Sequence, residues 1–302
     1  MGGCEKLQIG RFIFYVTISP LEGELDTKNI RFGSNESKLI FTLEKDGNTV
    51  FAFEDAKEIL GTSNKAVYRV LDRLKLKKRI KQIRSGLYLL SPARSGIEGT
   101  WTEHVFTILP KLLGKDYYVG FWSALSYWRM TEQIPQTTYV VTTKRRKNLT
   151  FDNQVIKFVT YSNSRFFGYI REKIGETAFN VSTREKTIVD SLGHLEYAGG
   201  ISEVAKAIWT TRDVLNIKRM IDDAKEIGIR AVGLRLGYLL DLLDFEKEHY
   251  ETLLPKKPTG APWLDPSATK RGMMKPLKSE TEYSGKWGLR LNVPQKVVLH
   301  WK

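Results

Sequence analysis

Residues 61–90 read GTSNKAVYRVLDRLKLKKRIKQIRSGLYLL, and this stretch decides how the first part of the chain folds. Gly61 predicts the end of one helix, because glycine readily adopts the left-handed conformation that terminates many helices. Thr62 or Ser63 can cap the helix that follows. The apolar residues of that helix recur at the i, i+3, i+4, i+7 spacing of one buried face, and they are Val67, Val70, Leu71 and Leu74. The stretch therefore predicts two helices joined by a short turn.

The opposite face of the second helix is polar and basic. Between Lys65 and Arg84, nine residues are basic and one, Asp72, is acidic. The basic residues continue past the helix into two β-favouring runs, at 80–83 and 87–90. These runs can pair as a hairpin across Arg84-Ser85-Gly86, where glycine tolerates the positive φ of a tight loop.

Two shorter helices are predicted before this helix, at 36–43 and at about 53–60, and Gly61 marks the end of the second of them. Helix, helix, short turn, helix and basic hairpin is the element order of a winged helix-turn-helix. In that motif the third helix enters the major groove of DNA, and the hairpin, or wing, reaches the backbone or the minor groove. We therefore predict that residues 36–94 bind double-stranded DNA. The predicted contacts are Ser63, Asn64, Lys65, Tyr68, Arg69 and Arg73 on the helix, and Lys81, Arg84, Ser85 and Gly86 in the wing.

The alternative interpretation of the basic helix is a solvated face on a purely structural element, which is what most charge runs are. Agreement between the turn, the buried stripe and the basic hairpin favours the DNA interface. Composition points the same way, because 48 Lys and Arg against 34 Asp and Glu give a net charge of +14. A charge of this sign favours a polyanionic partner.

Composition also excludes several classes of protein. The single cysteine, Cys4, cannot form an internal disulfide, and the four histidines lie too far apart to suggest a local metal cluster. The apolar run at 12–18 is much shorter than a membrane span and is followed by no small-residue cleavage pattern. We therefore expect a cytoplasmic protein without a membrane anchor.

The 302 residues have room for more than one domain. We predict an α+β protein in which the winged helix-turn-helix is followed by a mixed α/β domain with a helical C-terminal half. Residues 1–35 form a β-rich extension with runs at 12–18 and 29–32. Residues 36–94 form the DNA-binding domain and 95–254 the α/β domain. Residues 255–302 form a Pro-rich strap that ends in a strand at 288–293.

Helices and strands alternate in the predicted α/β domain. The helices are at 102–113, 123–130, 202–209, 213–227 and 231–243, and the strands are at 117–120, 138–143 and 155–161. Pro110 is expected to kink the first helix. The last two strands are joined by a turn with a second basic cluster, Lys144, Arg145, Arg146 and Lys147. This turn is either a solvated loop or a further contact with DNA or a partner.

Residues 182–185 read STRE, which at first suggests chemistry. Ser182 and Glu185 have the spacing of a reciprocal helix capping box, so we predict capping instead of catalysis. Asp190, on the helix that follows, has the side chain of a general base. However, no neighbouring histidine or nucleophile in the sequence supports that role.

A competing hypothesis is a nucleic-acid-processing enzyme. The predicted strand, the turn Gly120-Phe121-Trp122-Ser123 and the predicted helix resemble the opening of a nucleotidyltransferase fold. That chemistry needs carboxylates on the next strand to bind magnesium, yet residues 138–143 read TYVVTT. The sequence also lacks a Walker loop, a Gly-x-Ser-x-Gly elbow and a zinc-protease histidine pair. We therefore predict no catalytic residues, no metal site and no cofactor.

Several short blocks resemble, in the same order, the AbiEi-type abortive-infection antitoxins and related winged-helix regulators. The blocks are 84–88 (RSGLY), 117–125 with 131–135 (TEQIP), 185–190 (EKTIVD), 235–240 (RLGYLL) and 287–292 (WGLRLN). They span most of residues 36–292. The resemblance implies a repressor that binds its own operator and opposes a nucleotidyltransferase-like toxin without being an enzyme itself. Two half-sites of an inverted repeat would require two copies of the chain. The first 35 residues are not explained by the resemblance.

Overall fold

In the computed structural model, the described residues are 4–9, 12–17, 31–95, 104–151, 154–255, 260–268 and 282–302. In 4–9 and 12–17 the description is limited to the backbone. The chain divides into two compact units, Met1–Trp101 and Thr102–Lys302. Both units combine helices with β-sheets, so the fold is α+β, as predicted.

The first unit contains two small sheets and three helices within its described residues. Its elements are β1 (Cys4–Ile9), β2 (Phe12–Thr17), α1 (Ser34–Lys45), β3 (Val50–Ala52), α2 (Phe53–Leu60), α3 (Asn64–Leu76), β4 (Ile80–Arg84) and β5 (Leu87–Leu90). β1 and β2 pair as an antiparallel hairpin, which confirms the strand predicted at 12–18. Of the predicted run at 29–32, Asn29 and Ile30 lie outside the described residues, and Arg31 and Phe32 have no regular structure.

The α2–α3 junction follows local sequence signals. Gly61 ends α2 with a φ of 62°, and the Oγ of Ser63 accepts a hydrogen bond from the N–H of Ala66 at 3.4 Å. The apolar stripe of α3 is fully buried in the core of the unit, at Val67, Val70, Leu71 and Leu74. Burial of each such side chain contributes about 1.5–3 kcal/mol. This burial fixes which face of α3 points outward.

The second sheet of the first unit has the strand order β3-β5-β4, with antiparallel pairing throughout. The predicted hairpin across Gly86 is present, and Gly86 has a φ of 73°. Its register shifts between Gln82 and Arg84, which fits the imperfect alternation of this segment. β3 has no counterpart in the prediction, because a run of three residues becomes a strand only through pairing with β5.

The second unit is built around a mixed six-stranded sheet with the strand order β10-β11-β6-β7-β9-β8. Helices pack against this sheet, and the C-terminal half of the unit is largely helical. The elements are α4 (Val105–Leu113), β6 (Tyr117–Val119), α5 (Phe121–Tyr127), β7 (Thr137–Thr142), β8 (Leu149–Phe151), β9 (Gln154–Thr160), β10 (Tyr169–Ile174), β11 (Thr177–Ser182), α6 (Arg184–Gly193), α7 (Ile201–Thr210), α8 (Ile217–Glu226), α9 (Arg230–Leu242), α10 (Lys247–Tyr250), β12 (Glu282–Ser284), β13 (Leu289–Leu291) and α11 (Gln295–Val298).

Two features of this unit differ from the prediction. β7 and β9 are parallel, so a simple turn cannot join them, and the chain between them forms β8 on the far side of β9. The β10–β11 hairpin was not predicted, since β10 is a mostly exposed edge strand without a clear apolar alternation. α4 runs through Pro110 and ends at Leu113, where Gly114 is the C-cap.

The predicted capping box of Ser182 and Glu185 is wrong. β11 extends through Ser182, whose Oγ lies 2.7 Å from the Oγ1 of Thr187. Thr183 caps α6 instead, because its Oγ1 accepts the N–H of Lys186 at 3.2 Å. Glu185 accepts a hydrogen bond from the backbone N–H of Asn216 at 3.0 Å. The sheet therefore determines where α6 begins.

The C-terminal segment closes over α9. Trp287 is buried and packs against Gly237 of α9, and its Nε1 donates to Asp241 at 2.9 Å. The strand predicted at 288–293 is present as the shorter β13. Much of the predicted Pro-rich strap lies outside the described residues. Among all the residues that the structure describes, no helix has both the length and the apolar composition to cross a bilayer.

Candidate nucleic-acid interface

The outward face of α3 carries a compact set of polar and basic side chains. Asn64, Lys65, Tyr68 and Arg69 are exposed on the side opposite the buried stripe, and the N-cap Ser63 is exposed beside them. Positions 65, 68, 69 and 72 share one helix face because they are spaced by three or four residues. Within residues 31–95, neither Lys65 nor Arg69 has an acidic partner. Their cationic groups can therefore meet an external anion.

Tyr68 is held in a defined orientation on this face. Its ring stacks on Phe53, the first residue of α2, at a centroid distance of 4.5 Å and an interplanar angle of 29°. The residue nevertheless remains 53% exposed. Phe53 is a supporting residue that the sequence did not single out, because an aromatic residue at a helix start is usually part of the core. The stacking presents the Tyr68 hydroxyl on a rigid support.

Arg73 has an additional role that the sequence did not predict. Its Nε forms an ion pair with the Oε1 of Glu36 at 2.6 Å, although 54% of the Arg73 side chain is exposed. Glu36 lies on α1 and is itself buried. Lys77 also pairs with the same carboxylate, and its Nζ donates to the carbonyl oxygen of Arg31 at 2.7 Å. The end of α3 is therefore tied to the start of α1.

The environment of Glu36 favours its charged form. Burial raises the pKa of the carboxyl group, but the hydrogen bond from Lys77 opposes this effect. A hydrogen bond from the N–H of Gly33 at 3.0 Å and the charges of Lys77 and Arg73 lower the pKa further. Together these contacts hold the pKa of Glu36 below its usual value of 4.5. We call residues 65–84, with their nine cations, the basic stretch. Glu36 is therefore a fixed anion that positions two cations of the basic stretch.

Two more cations of the basic stretch also have internal partners. Lys75 pairs with Asp72 at 2.7 Å, and the mostly buried Arg79 lies 3.7 Å from Glu44. Lys81 is half-buried on β4, whereas Arg84 and Ser85 are exposed at the hairpin tip beside Gly86. The structure thus separates the cations that pair within the unit, such as Arg73 and Lys75, from Lys65 and Arg69 on the outward face of the same helix.

Asp190, considered above as a general base, is instead buried in an ion pair. It contacts Lys186 one helical turn earlier, and both side chains are fully buried. The hydroxyl of Tyr118 donates to Asp190 at 3.0 Å and lies 3.3 Å from the Nζ of Lys186. Burial raises the pKa of Asp190, and the charge of Lys186 opposes that rise. Both charged side chains are shielded from solvent, so the cluster is part of the core of the second unit. The i, i+4 spacing of Lys186 and Asp190 was a visible sign of this pair.

The turn that resembles a nucleotidyltransferase opening uses its hydroxyl internally. The Oγ of Ser123 accepts the N–H of Tyr139 at 2.9 Å and donates to the carbonyl oxygen of Thr137 at 3.2 Å. Ser123 therefore anchors α5 to β7. A cleft of about 550 Å³ opens beside it and is also lined by His104, Phe106 and Tyr127. In the parts of the chain that are described, no group of three or more His, Cys, Asp or Glu residues is placed to hold a metal ion.

Comparison with known proteins gives a structural similarity. No family model matches the chain, and no curated protein matches it. The fold is similar to the crystal structure of the RV2827C protein from Mycobacterium tuberculosis, with a TM-score of 0.63 and 13% sequence identity. The match covers 89% of this chain and 96% of that chain. At this level of identity, the similarity shows a shared fold and carries no functional assignment.

Proposed function

We propose that residues 36–94 form a winged helix-turn-helix that binds double-stranded DNA. The element order α1, β3, α2, α3, β4 and β5 supports this proposal, since it is the order of helices and strands in that motif. The sharp α2–α3 junction at Gly61 and the β4–β5 hairpin at Gly86 correspond to its turn and its wing. In this proposal, α3 is the recognition helix.

The observation that carries the proposal is the division of α3 into two faces. One face is completely buried, and the other presents Lys65, Tyr68 and Arg69 to solvent. Near the end of the same helix, Lys75 pairs with Asp72. Lys65 and Arg69 have no such partner within residues 31–95. Arg and Lys in this position can bond to guanine edges and to phosphates, while Ser63 and Asn64 supply shorter contacts.

The resemblance to AbiEi-type proteins extends the proposal to regulation. In this hypothesis the chain is a cytoplasmic repressor that binds its own operator and acts as the antitoxin of a toxin–antitoxin pair. The partner would be a nucleotidyltransferase-like toxin, and the chain itself would not be an enzyme. An inverted repeat in the operator would bind two copies. Co-purification with the product of an adjacent reading frame, and relief of its toxicity on co-expression, tests the antitoxin role.

Operator binding by matched variants tests the DNA interface. Footprinting on the upstream region of the gene defines the site, and fluorescence anisotropy then measures its affinity. Lys65→Ala with Arg69→Ala should weaken operator binding about 30-fold or more, because each base contact is worth about 1–3 kcal/mol. The control Lys38→Ala with Lys45→Ala removes the same charge from exposed positions on α1. Equal affinity of the two double variants would contradict the assignment of α3.

The alternative enzyme receives no specific support from the site. The hydroxyl of Ser123 is engaged by the backbone of β7, so it does not form a phosphate cradle with Gly120. β7 also carries no carboxylate for a metal ion. Metal-dependent turnover of nucleotides or DNA by the purified chain would nevertheless reverse this conclusion.

A further inference from the structure

The loop between β7 and β8, residues 143–148, is a second basic surface that lies in the second unit. Lys144, Arg145 and Lys147 are exposed, and Arg146 is half-buried. None of the four has an acidic partner among the described residues, in contrast to the paired cations at the end of α3. We call residues 143–148 the basic loop. Four consecutive cations without counter-charges repel one another, which is a cost that an external anion would remove.

The ends of the basic loop are anchored to the sheet. The Oγ1 of Thr142, the last residue of β7, donates to the carbonyl oxygen of Lys144 at 2.8 Å. At the other end, the Oδ1 of Asn148 accepts the N–H of Phe158, on β9, at 3.2 Å. The Nε of Arg146 is shielded from solvent and has no hydrogen-bond partner in the described structure. The backbone therefore presents the cations from a fixed frame.

The composition of the basic loop distinguishes between two classes of anionic partner. Its residues read TKRRKN and include no apolar side chain. Protein–protein interfaces concentrate aromatic and other apolar groups at their centre and are depleted in lysine. Contacts to DNA phosphates, in contrast, use Lys and Arg together with short polar side chains such as Thr and Asn. The loop therefore fits a phosphate backbone better than an acidic protein.

We infer that the basic loop binds the phosphate backbone of duplex DNA as a second, sequence-independent contact. The inference rests on the proposed function, because this contact adds affinity to a complex whose sequence preference comes from α3. Phosphate contacts release bound counterions, so they are detected in the salt dependence of binding. Each contact contributes about 0.9 to the slope of log K against log salt concentration.

The test compares two triple variants of the full chain. The loop variant carries Lys144→Ala, Arg145→Ala and Lys147→Ala. The control variant carries Lys218→Ala, Lys225→Ala and Lys296→Ala, which remove the same charge from exposed positions without acidic partners in the described structure. Circular dichroism and thermal melting confirm that both variants are folded. Anisotropy titrations over a salt series then use the operator duplex and a duplex of unrelated sequence.

The loop variant should lose affinity for both duplexes by a similar factor and so retain its sequence preference. Its salt slope should be smaller than that of the control variant by up to about 2.7. Equal slopes for the two variants, with wild-type binding intact, would overturn this inference and leave the proposed function standing. Failure of the wild-type chain to bind any duplex would overturn both. Unchanged DNA binding with loss of binding to poly-glutamate would assign the loop to an acidic polypeptide and contradict the inference.

Discussion

Replacement of Glu36 by glutamine tests how the proposed recognition helix is held in place. The side chain of Glu36 is 2% exposed and accepts hydrogen bonds from Lys77 and from the N–H of Gly33, besides its ion pair with Arg73. Glu36→Gln keeps the shape of the side chain and one oxygen acceptor but removes the charge. α1 and the end of α3 would then lose the anion that joins them.

The expected cost follows from the exposure of each partner. The Arg73 side chain is 54% exposed, so its pair is screened by water and contributes about 0–1 kcal/mol. The Lys77 side chain is 26% exposed, and its charge-assisted hydrogen bond is worth about 1.5–3 kcal/mol. The glutamine oxygen can still accept the N–H of Gly33. We therefore expect Glu36→Gln to lower the free energy of unfolding by about 1.5–4 kcal/mol at pH 7.

The effect should depend on pH with a defined sign. The pKa of Glu36 is lowered in the folded state, so its charge stabilises the fold at pH values above the usual 4.5. This stabilisation is lost as the pH falls below 4.5 through the lowered folded-state pKa. The difference between wild type and Glu36→Gln should therefore be full at pH 7 and should shrink in acid.

Urea denaturation followed by circular dichroism at several pH values measures this difference. Glu58→Gln is the control, because Glu58 is exposed on α2 and has no ion pair in the described structure. We expect the control to change the free energy of unfolding by less than about 0.5 kcal/mol. If Glu36→Gln behaved like the control, or if its cost did not change with pH, the role assigned to the carboxylate would be wrong.

Two further predictions concern the second unit. Gly237→Ala should destabilise the chain, since a Cβ there would overlap the ring of Trp287, whereas Gly233→Ala on the same helix has its nearest contact at 3.8 Å and should stabilise it by up to about 1 kcal/mol. Thermal melting of the two variants checks the opposite signs, and shifts of the same sign would contradict the packing. Lys186→Met should cost about 3–5 kcal/mol, because it leaves the carboxyl group of Asp190 in the core without its ion-pair partner. Adding Asp190→Leu should recover most of that loss in urea denaturation, and no recovery would show that the pair is not the cause.

Much of the candidate interface could be predicted because its signals are local. The spacing of Val67, Val70, Leu71 and Leu74 identified the buried face of α3, and the outward face followed from it. Gly61 and Ser63 marked the two ends of the α2–α3 turn through backbone preferences that operate within a few residues.

The short strands could not be predicted in the same way. β3 and β8 are only three residues long and β10 lacks a clear apolar alternation, and each is a strand because a partner strand supplies its hydrogen bonds. The same dependence placed Ser182 in β11 and moved the helix cap to Thr183. A capping motif recognised from four residues of sequence cannot reveal that Ser182, the first of them, already belongs to a strand.

The sequence by itself determined the helices of the first unit, the face of α3 that is buried and the concentration of positive charge from Lys65 to Arg84. Only the tertiary structure decided which of those cations remain available to an external partner. Glu36 and Arg73 are 37 positions apart in the chain, and their contact arises because α1 and α3 pack together. A charge count adds cations without regard to position, whereas an ion pair depends on distance, and distance is set by the fold.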